Sequence, residues 1–146
     1  MFEAVEIGAA VDKAAYKKEA EKLRTELLAA QKELAGAKFP LLVLVSGVET
    51  AGKTTLVNTL LEWLDARGVH VHAPGTPSDE ETERPPFWRW WRALPASGRA
   101  AVFLGSWFYD PIVQRVFKDL SDAELDAALE RIERLERMLA DDGAVV

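Results

Sequence analysis

Eight consecutive residues, Gly47-Val48-Glu49-Thr50-Ala51-Gly52-Lys53-Thr54, have the types and spacing to bind phosphate. They fit the pattern G-x-x-x-x-G-K-[ST] at every fixed position, and an accidental fit in a chain of this length is well below about 1%. Gly47 and Gly52 let the backbone take conformations that other residues resist. Successive amide N–H groups can then turn inward at a helix N-terminus and form a concavity for an anion. Lys53 adds a mobile ammonium for phosphate oxygens. The Thr54 hydroxyl can hold a magnesium ion that bridges those oxygens. The plainer alternative is a glycine-containing turn with a solvated lysine.

Such a loop needs a strand before it and a helix after it. Phe39 to Val45 is a short apolar run without alternation, which predicts a strand covered on both faces of a parallel sheet. Leu56, Val57, Leu60, Leu61 and Leu64 recur at helical spacing, which predicts a helix over 54–67 stopped by Gly68.

Composition limits the rest. The 146 residues suffice for one domain with a real core, and 49% hydrophobic with 29% charged residues describes a soluble, globular chain. There is no cysteine, which excludes disulfides and thiolate metal sites and makes a reducing cytoplasm the expected setting. No apolar run reaches membrane-spanning length, and the acidic start Met1-Phe2-Glu3-Ala4-Val5-Glu6 is unlike a secretory signal. The formal net charge of −6 argues against nucleic acid as a partner. It also requires a local basic patch for any polyanionic substrate.

Residues 12–35 predict a long helix with one apolar stripe, Tyr16, Ala20, Leu23, Leu27, Ala30 and Leu34, stopped by Gly36. The stripe suits packing on its own domain, or a partner helix. Val69 to Ala73 alternates as a strand with His70 and His72 on its polar side; two histidines without a third ligand are weak evidence for a metal. Residues 74–86 predict a loop, rich in proline and acids. Basic and aromatic residues follow. Arg84, Arg89, Arg92 and Arg99 are interleaved with Phe87, Trp88, Trp90 and Trp91, with Pro85 and Pro86 to start a short helix and Pro95 to end it. Arg89 and Arg92, three apart, share a helix face. Two interpretations stay open: a packed aromatic helix with surface arginines, or an arginine clamp for phosphates.

Ala100 to Leu104 predicts a third strand, and residues 112–120 a helix. Ser121-Asp122-Ala123-Glu124 is a capping box opening another helix, with the stripe Leu125, Leu129, Ile132, Leu135 and Leu139. After Gly143, Ala144-Val145-Val146 resembles the start of a further strand, which suggests a piece of a longer protein. The alternation of strands and helices predicts an α/β fold with a parallel sheet and right-handed crossovers, truncated and preceded by a long N-terminal helix. The expected division is a helical segment over 1–38 and a phosphate-loop domain over 39–146, incomplete at its C-terminal end.

Four stretches carry a narrower likeness. They are residues 23–34 (LRTELLAAQKEL), the loop GVETAGKT, residues 84–98 (RPPFWRWWRALPASG) and residues 103–108 (FLGSWF). With them the chain resembles the polyphosphate kinase 2 family, most of all the amino-terminal half of a two-domain polyphosphate:AMP phosphotransferase. The resemblance implies a three-layer P-loop kinase-like fold, which makes 39–146 a phosphotransferase domain, and magnesium-dependent phosphoryl transfer between inorganic polyphosphate and AMP or ADP. It implies a cytoplasmic protein that packs against a second homologous domain or forms a homo-oligomer. By position, Gly47, Gly52, Lys53, Thr54 and Thr55 would hold phosphates, with Arg89 and Arg92 towards the phosphate path. Glu49 stands where the family usually has a magnesium-linked Asp, so Glu49 and Thr54 would serve the metal, and Lys53 and Glu49 the chemistry.

The departures matter equally. Leu104 and Gly105 stand where the resembled pattern has an Asp-Arg pair, and Asp110 where it usually has Arg. Each cation on a transferring phosphoryl group can contribute on the order of 10³ in rate. Losing two, with a metal-supporting carboxylate, implies a catalytically degenerate half. The alternatives are a non-catalytic polyphosphate-binding or scaffolding module on the same fold and, less well matched, an ATP-dependent nucleotide kinase.

Overall fold

A computed structural model describes residues 11–146; the acidic Met1–Glu6 stretch lies outside the described residues. Among the described residues three parallel strands form the sheet: β1 (Leu41–Val45), β2 (Val69–His72) and β3 (Ala100–Leu104), in the order β1-β3-β2. Leu41 pairs with Ala100 and Val45 with Leu104, while Val69 pairs with the other side of Ala100. Helix α1 (Lys13–Leu34) precedes the sheet, and α2 (Lys53–Trp63) connects β1 to β2. Between β2 and β3 come the short helices α3 (Asp79–Glu83) and α4 (Trp88–Trp91); after β3 come α5 (Tyr109–Val116) and α6 (Asp122–Asp141).

Alternation along the strands divides the core into two layers. Leu42, Ala101 and Phe103 face Trp107 and the α6 stripe of Ile132, Leu135 and Leu139. Val45, Val69, Ala100 and Val102 face Val57 of α2, with Leu34 and Leu64 packed beside them. Helices therefore cover both faces, as the apolar, non-alternating β1 requires. The chain leaves β1 along one face, through α2, and leaves β3 along the other, through α6. The reversal opens a crevice at the carboxyl ends of β1 and β3, where ligands of open α/β sheets bind. Val145 forms a parallel bridge to Leu41, and Leu42 N–H donates to its carbonyl at 2.7 Å, so the final residues do begin to extend the sheet beside β1.

Element boundaries differ from expectation where a side chain intervenes. Helix α2 ends at Trp63, four residues short of Arg67. The cause lies in α1: Gln31 Nε2 donates to the Asp65 carbonyl and its Oε1 accepts from Asp65 N–H, both at 2.7 Å. An amide side chain thus satisfies both backbone groups that a longer helix would have used. Residues 74–86 are not wholly loop, because Ser78 and Glu81 form a reciprocal capping box over α3. Proline at 111 sits in the first turn of α5, where a missing N–H costs nothing, so that helix starts at Tyr109 rather than Ile112. The stripe of α1 meets the domain only near its C-terminal end. Leu27 and Leu34 are half-buried, whereas Tyr16 and Leu23 are exposed and no residue of the helix is fully buried.

Replacing Gln31 by Ala strands the two Asp65 backbone groups. The expected loss is about 1–3 kcal/mol, from leaving part-buried partners unmet, read as a lower denaturation midpoint with an unchanged slope.

Candidate functional site

The stretch from β1 to α2 forms the predicted cradle. Gly47 leaves the strand at φ 147°, a short 3₁₀ turn spans Glu49–Ala51, and Gly52 sits at φ 78°, ψ 16° as the N-cap of α2. A side chain at Gly52 would face the steric cost of the left-handed region. The first intrahelical bond is Leu56 N–H to Gly52 carbonyl, 3.0 Å. The amides of Lys53, Thr54 and Thr55 precede it and are free of intrahelical duty. Asp12, Ser78 and Ser121 cap α1, α3 and α6 with side-chain oxygens, but among the described residues no side chain caps α2. That end of the helix keeps its donors and the positive end of its dipole open to an anion.

Lys53 closes the loop from within. Its Nζ donates to the carbonyls of Gly47 at 2.6 Å and Val48 at 2.7 Å. An ammonium has three protons, so one remains for a ligand. Thr54 and Thr55 are exposed on the first turn of α2. The side chain of Glu49 lies outside the described residues; its backbone belongs to the 3₁₀ turn.

Beside the cradle lies a cleft of about 330 Å³ whose lining includes Thr76, Arg89, Trp90, Ser106, Tyr109 and Asp110. Arg89 reaches across its edge. Its Nη2 donates to the Gly75 carbonyl at 2.9 Å, and Nε lies 3.5 Å from Glu81 Oε1 without a hydrogen bond. Glu81 is itself held by the α3 capping box, because its Oε2 accepts from Ser78 N–H at 2.9 Å. The two arginines of the predicted clamp part company. Arg92 lies over the Trp88 ring at 4.7 Å, with Arg84 over the same ring at 5.3 Å, and Arg92 does not line the cleft. The aromatic run divides likewise. Trp90 packs edge-on against Phe103 and Trp107, while Trp91 is exposed.

At the end of β3 the structure places Leu104, half-buried, and Gly105, at φ 136°. Neither offers charge to the crevice. Asp110 lines the cleft from the first turn of α5. Sequence reasoning missed the hydroxyl pair Ser106–Ser46, 3.1 Å apart, which joins the turn after β3 to the residue before the loop. Nothing in the spacing of two serines 60 positions apart signals it. His72 also differs from a solvent-facing residue: its ring stacks on Phe103 at 5.2 Å. A larger apolar groove, about 540 Å³, runs between α1, α2 and the sheet, and its lining lacks the cradle residues.

A parallel sheet with a phosphate-loop cradle at the crevice defines a P-loop kinase-like protein. The chain belongs to the polyphosphate kinase 2 family, whose profile, described as Polyphosphate kinase 2 (PPK2), matches residues 10–146. It is 46% identical to a polyphosphate:AMP phosphotransferase of Pseudomonas aeruginosa and 44% identical to one of Pseudomonas syringae pv. tomato. In both comparisons the match covers 100% of this chain and 30% of the relative, so this chain spans under a third of their length. Among solved structures, polyphosphate kinase 2 from Arthrobacter aurescens TC1 superposes with TM-score 0.85 at 29% identity, over 94% of this chain and 50% of that one. A Pseudomonas aeruginosa PA01 structure, described as a candidate polyphosphate kinase 2, gives TM-score 0.90 at 47% identity, over 99% of this chain and 31% of that one.

Burial, and secondarily the charge of His70, lowers the His72 pKa below its ordinary 6.5. The unfolded chain therefore binds the proton more readily, and stability rises with pH through this window. Folding stability is expected to be full above about pH 7 and to fall as the pH drops below the unfolded value of about 6.5. Denaturant midpoints measured from pH 7.5 to 5.5 should show that fall, and His72→Gln should flatten it.

Proposed function

We propose that this chain is the amino-terminal, phosphate-binding part of a polyphosphate:AMP phosphotransferase, with little catalysis of its own. The observation that carries this is the cradle: a helix N-terminus behind Gly52 that no side chain among the described residues caps, with Lys53 drawn across it. Its ligand is a run of phosphates. The amides of Lys53, Thr54 and Thr55 and the remaining Lys53 proton would meet the oxygens, with Gly47 and Gly52 shaping the loop.

Magnesium fits the donor chemistry. Thr54 offers a hard hydroxyl oxygen and Glu49 a carboxylate by type; phosphates and water complete such a shell. Among the described residues no group of three or more His, Asp or Glu gathers to hold a metal unaided. The bound ion would supply charge neutralisation at the transferring group. Arg89, from the neighbouring cleft, would orient a substrate phosphate; Arg92, stacked on Trp88, would act only at longer range. AMP or ADP would be the other substrate, and a second homologous domain or another copy of the chain the packing partner.

The weak catalysis follows from the end of β3. Leu104 and Gly105 themselves contribute neither a carboxylate nor a guanidinium, and Asp110 brings the cleft a negative charge. Electrostatic stabilisation of the moving phosphoryl group is the main thing such a site can provide. The same observation favours the second reading, a module that binds polyphosphate without turning it over.

A coupled assay with polyphosphate, AMP and magnesium should give ADP at background level with the 146-residue chain. The same chain should bind tripolyphosphate in a salt-sensitive way. Lys53→Ala should weaken that binding about 10- to 100-fold, the range for one lost charged hydrogen-bond donor. ADP production abolished by Lys53→Ala would show instead that this half is active, and an absence of phosphate binding would remove the proposal altogether.

A further inference from the structure

The Ser46–Ser106 bond joins the cradle to the cleft. Ser106 is 5% exposed, a polar residue within an otherwise apolar core. Its hydroxyl donates to Ser46 Oγ, and the neighbouring Gly105 N–H donates to the Val45 carbonyl at 2.9 Å. On the opposite side, Trp107 Nε1 donates to Glu136 Oε1 at 3.0 Å, with the ring buried against α6. The turn after β3 is therefore fastened to α6 through Trp107 and to the residue before Gly47 through Ser106.

No charged side chain at 104 or 105 can do this work, since those positions are Leu and Gly. Two hydroxyls suit the place. Each can donate and accept at once, and each rotates to suit its neighbours. With Ser106 as donor, the Ser46 proton is left over for the exposed side, where Ser46 meets the loop.

We propose that Ser106 is a positioning residue for the phosphate loop, acting through Ser46. It fixes the direction in which the chain leaves β1 and enters Gly47, and so keeps the loop amides aimed at one point. Preorganised donors bind better than donors that must be ordered by the ligand. The inference rests on the phosphate-binding role proposed above.

Three measurements on the 146-residue chain test it: tripolyphosphate affinity by calorimetry, hydrogen exchange of the amides in 47–55, and the thermal midpoint. The variants are Ser106→Ala, Ser46→Ala, the double variant and Ser46→Thr. Ser106→Ala should weaken affinity about 3- to 10-fold, the range for one neutral hydrogen bond, and should speed exchange in the loop with little change in midpoint. The double variant should be no worse than the poorer single one, as for residues acting as a unit. Ser46→Thr keeps the hydroxyl and should keep the affinity.

Unchanged affinity and loop exchange in Ser106→Ala would overturn the proposal. So would fully additive single effects, or faster exchange spread over β3 and α6 with a lowered midpoint, which would mark Ser106 as packing alone. If the unaltered chain binds no tripolyphosphate, the phosphate role fails, and loop exchange still decides whether Ser106 orders the loop.

Discussion

A backbone that must leave a strand and enter a helix within seven residues, with its N–H groups turned inward, is the constraint on which the molecule depends. The left-handed Gly52 makes the second bend, and β1 supplies a rigid take-off point. β1 is rigid because it lies between two apolar layers, one built on α6 and one on α2. Each layer needs the other: Phe103 and Val102 are consecutive residues of one strand buried on opposite faces. Loss of packing on either side would be felt at the loop, because close-packed interiors transmit strain rather than absorb it.

The charge distribution bears on how a chain of net charge −6 would hold the polyanion proposed for it. In that proposal the attraction would come from a few fixed donors: the end of α2, the ammonium of Lys53 and the guanidinium of Arg89. Both side chains are held by backbone carbonyls, Gly47 and Val48 for Lys53 and Gly75 for Arg89. Neutral acceptors orient a cation without cancelling it. Glu81 beside Arg89 and Asp110 across the cleft do cancel charge, so the cleft is less suited to a run of phosphates than the cradle is.

Much of the fold was legible in the sequence because local patterns carry it. Heptad-like spacing marked α1 and α6, an unbroken apolar run marked β1, and Ser121 with Glu124 announced the start of α6. The same signal at Ser78 and Glu81 was present but hidden by the prolines around it, so α3 was expected as loop. What stayed illegible was contact between distant residues. Gln31 clamping Asp65, Ser106 meeting Ser46 and Trp107 meeting Glu136 are fixed by tertiary placement, and no spacing rule reaches across those separations. Likewise, helical periodicity put Arg89 and Arg92 on one face, but α4 is a single turn. Arg92 falls at its C-cap, where an indole ring competes for the guanidinium.

The indoles of Trp90 and Trp107 stand 5.7 Å apart at 88° to one another. Trp90 follows Arg89 in the chain, and Trp107 follows Ser106. Each chromophore is thus one peptide unit from a group that faces the crevice. A rotation of α4 against the turn after β3 would break this edge-to-face contact, so the indole pair ties the geometry of the crevice wall to the aromatic core.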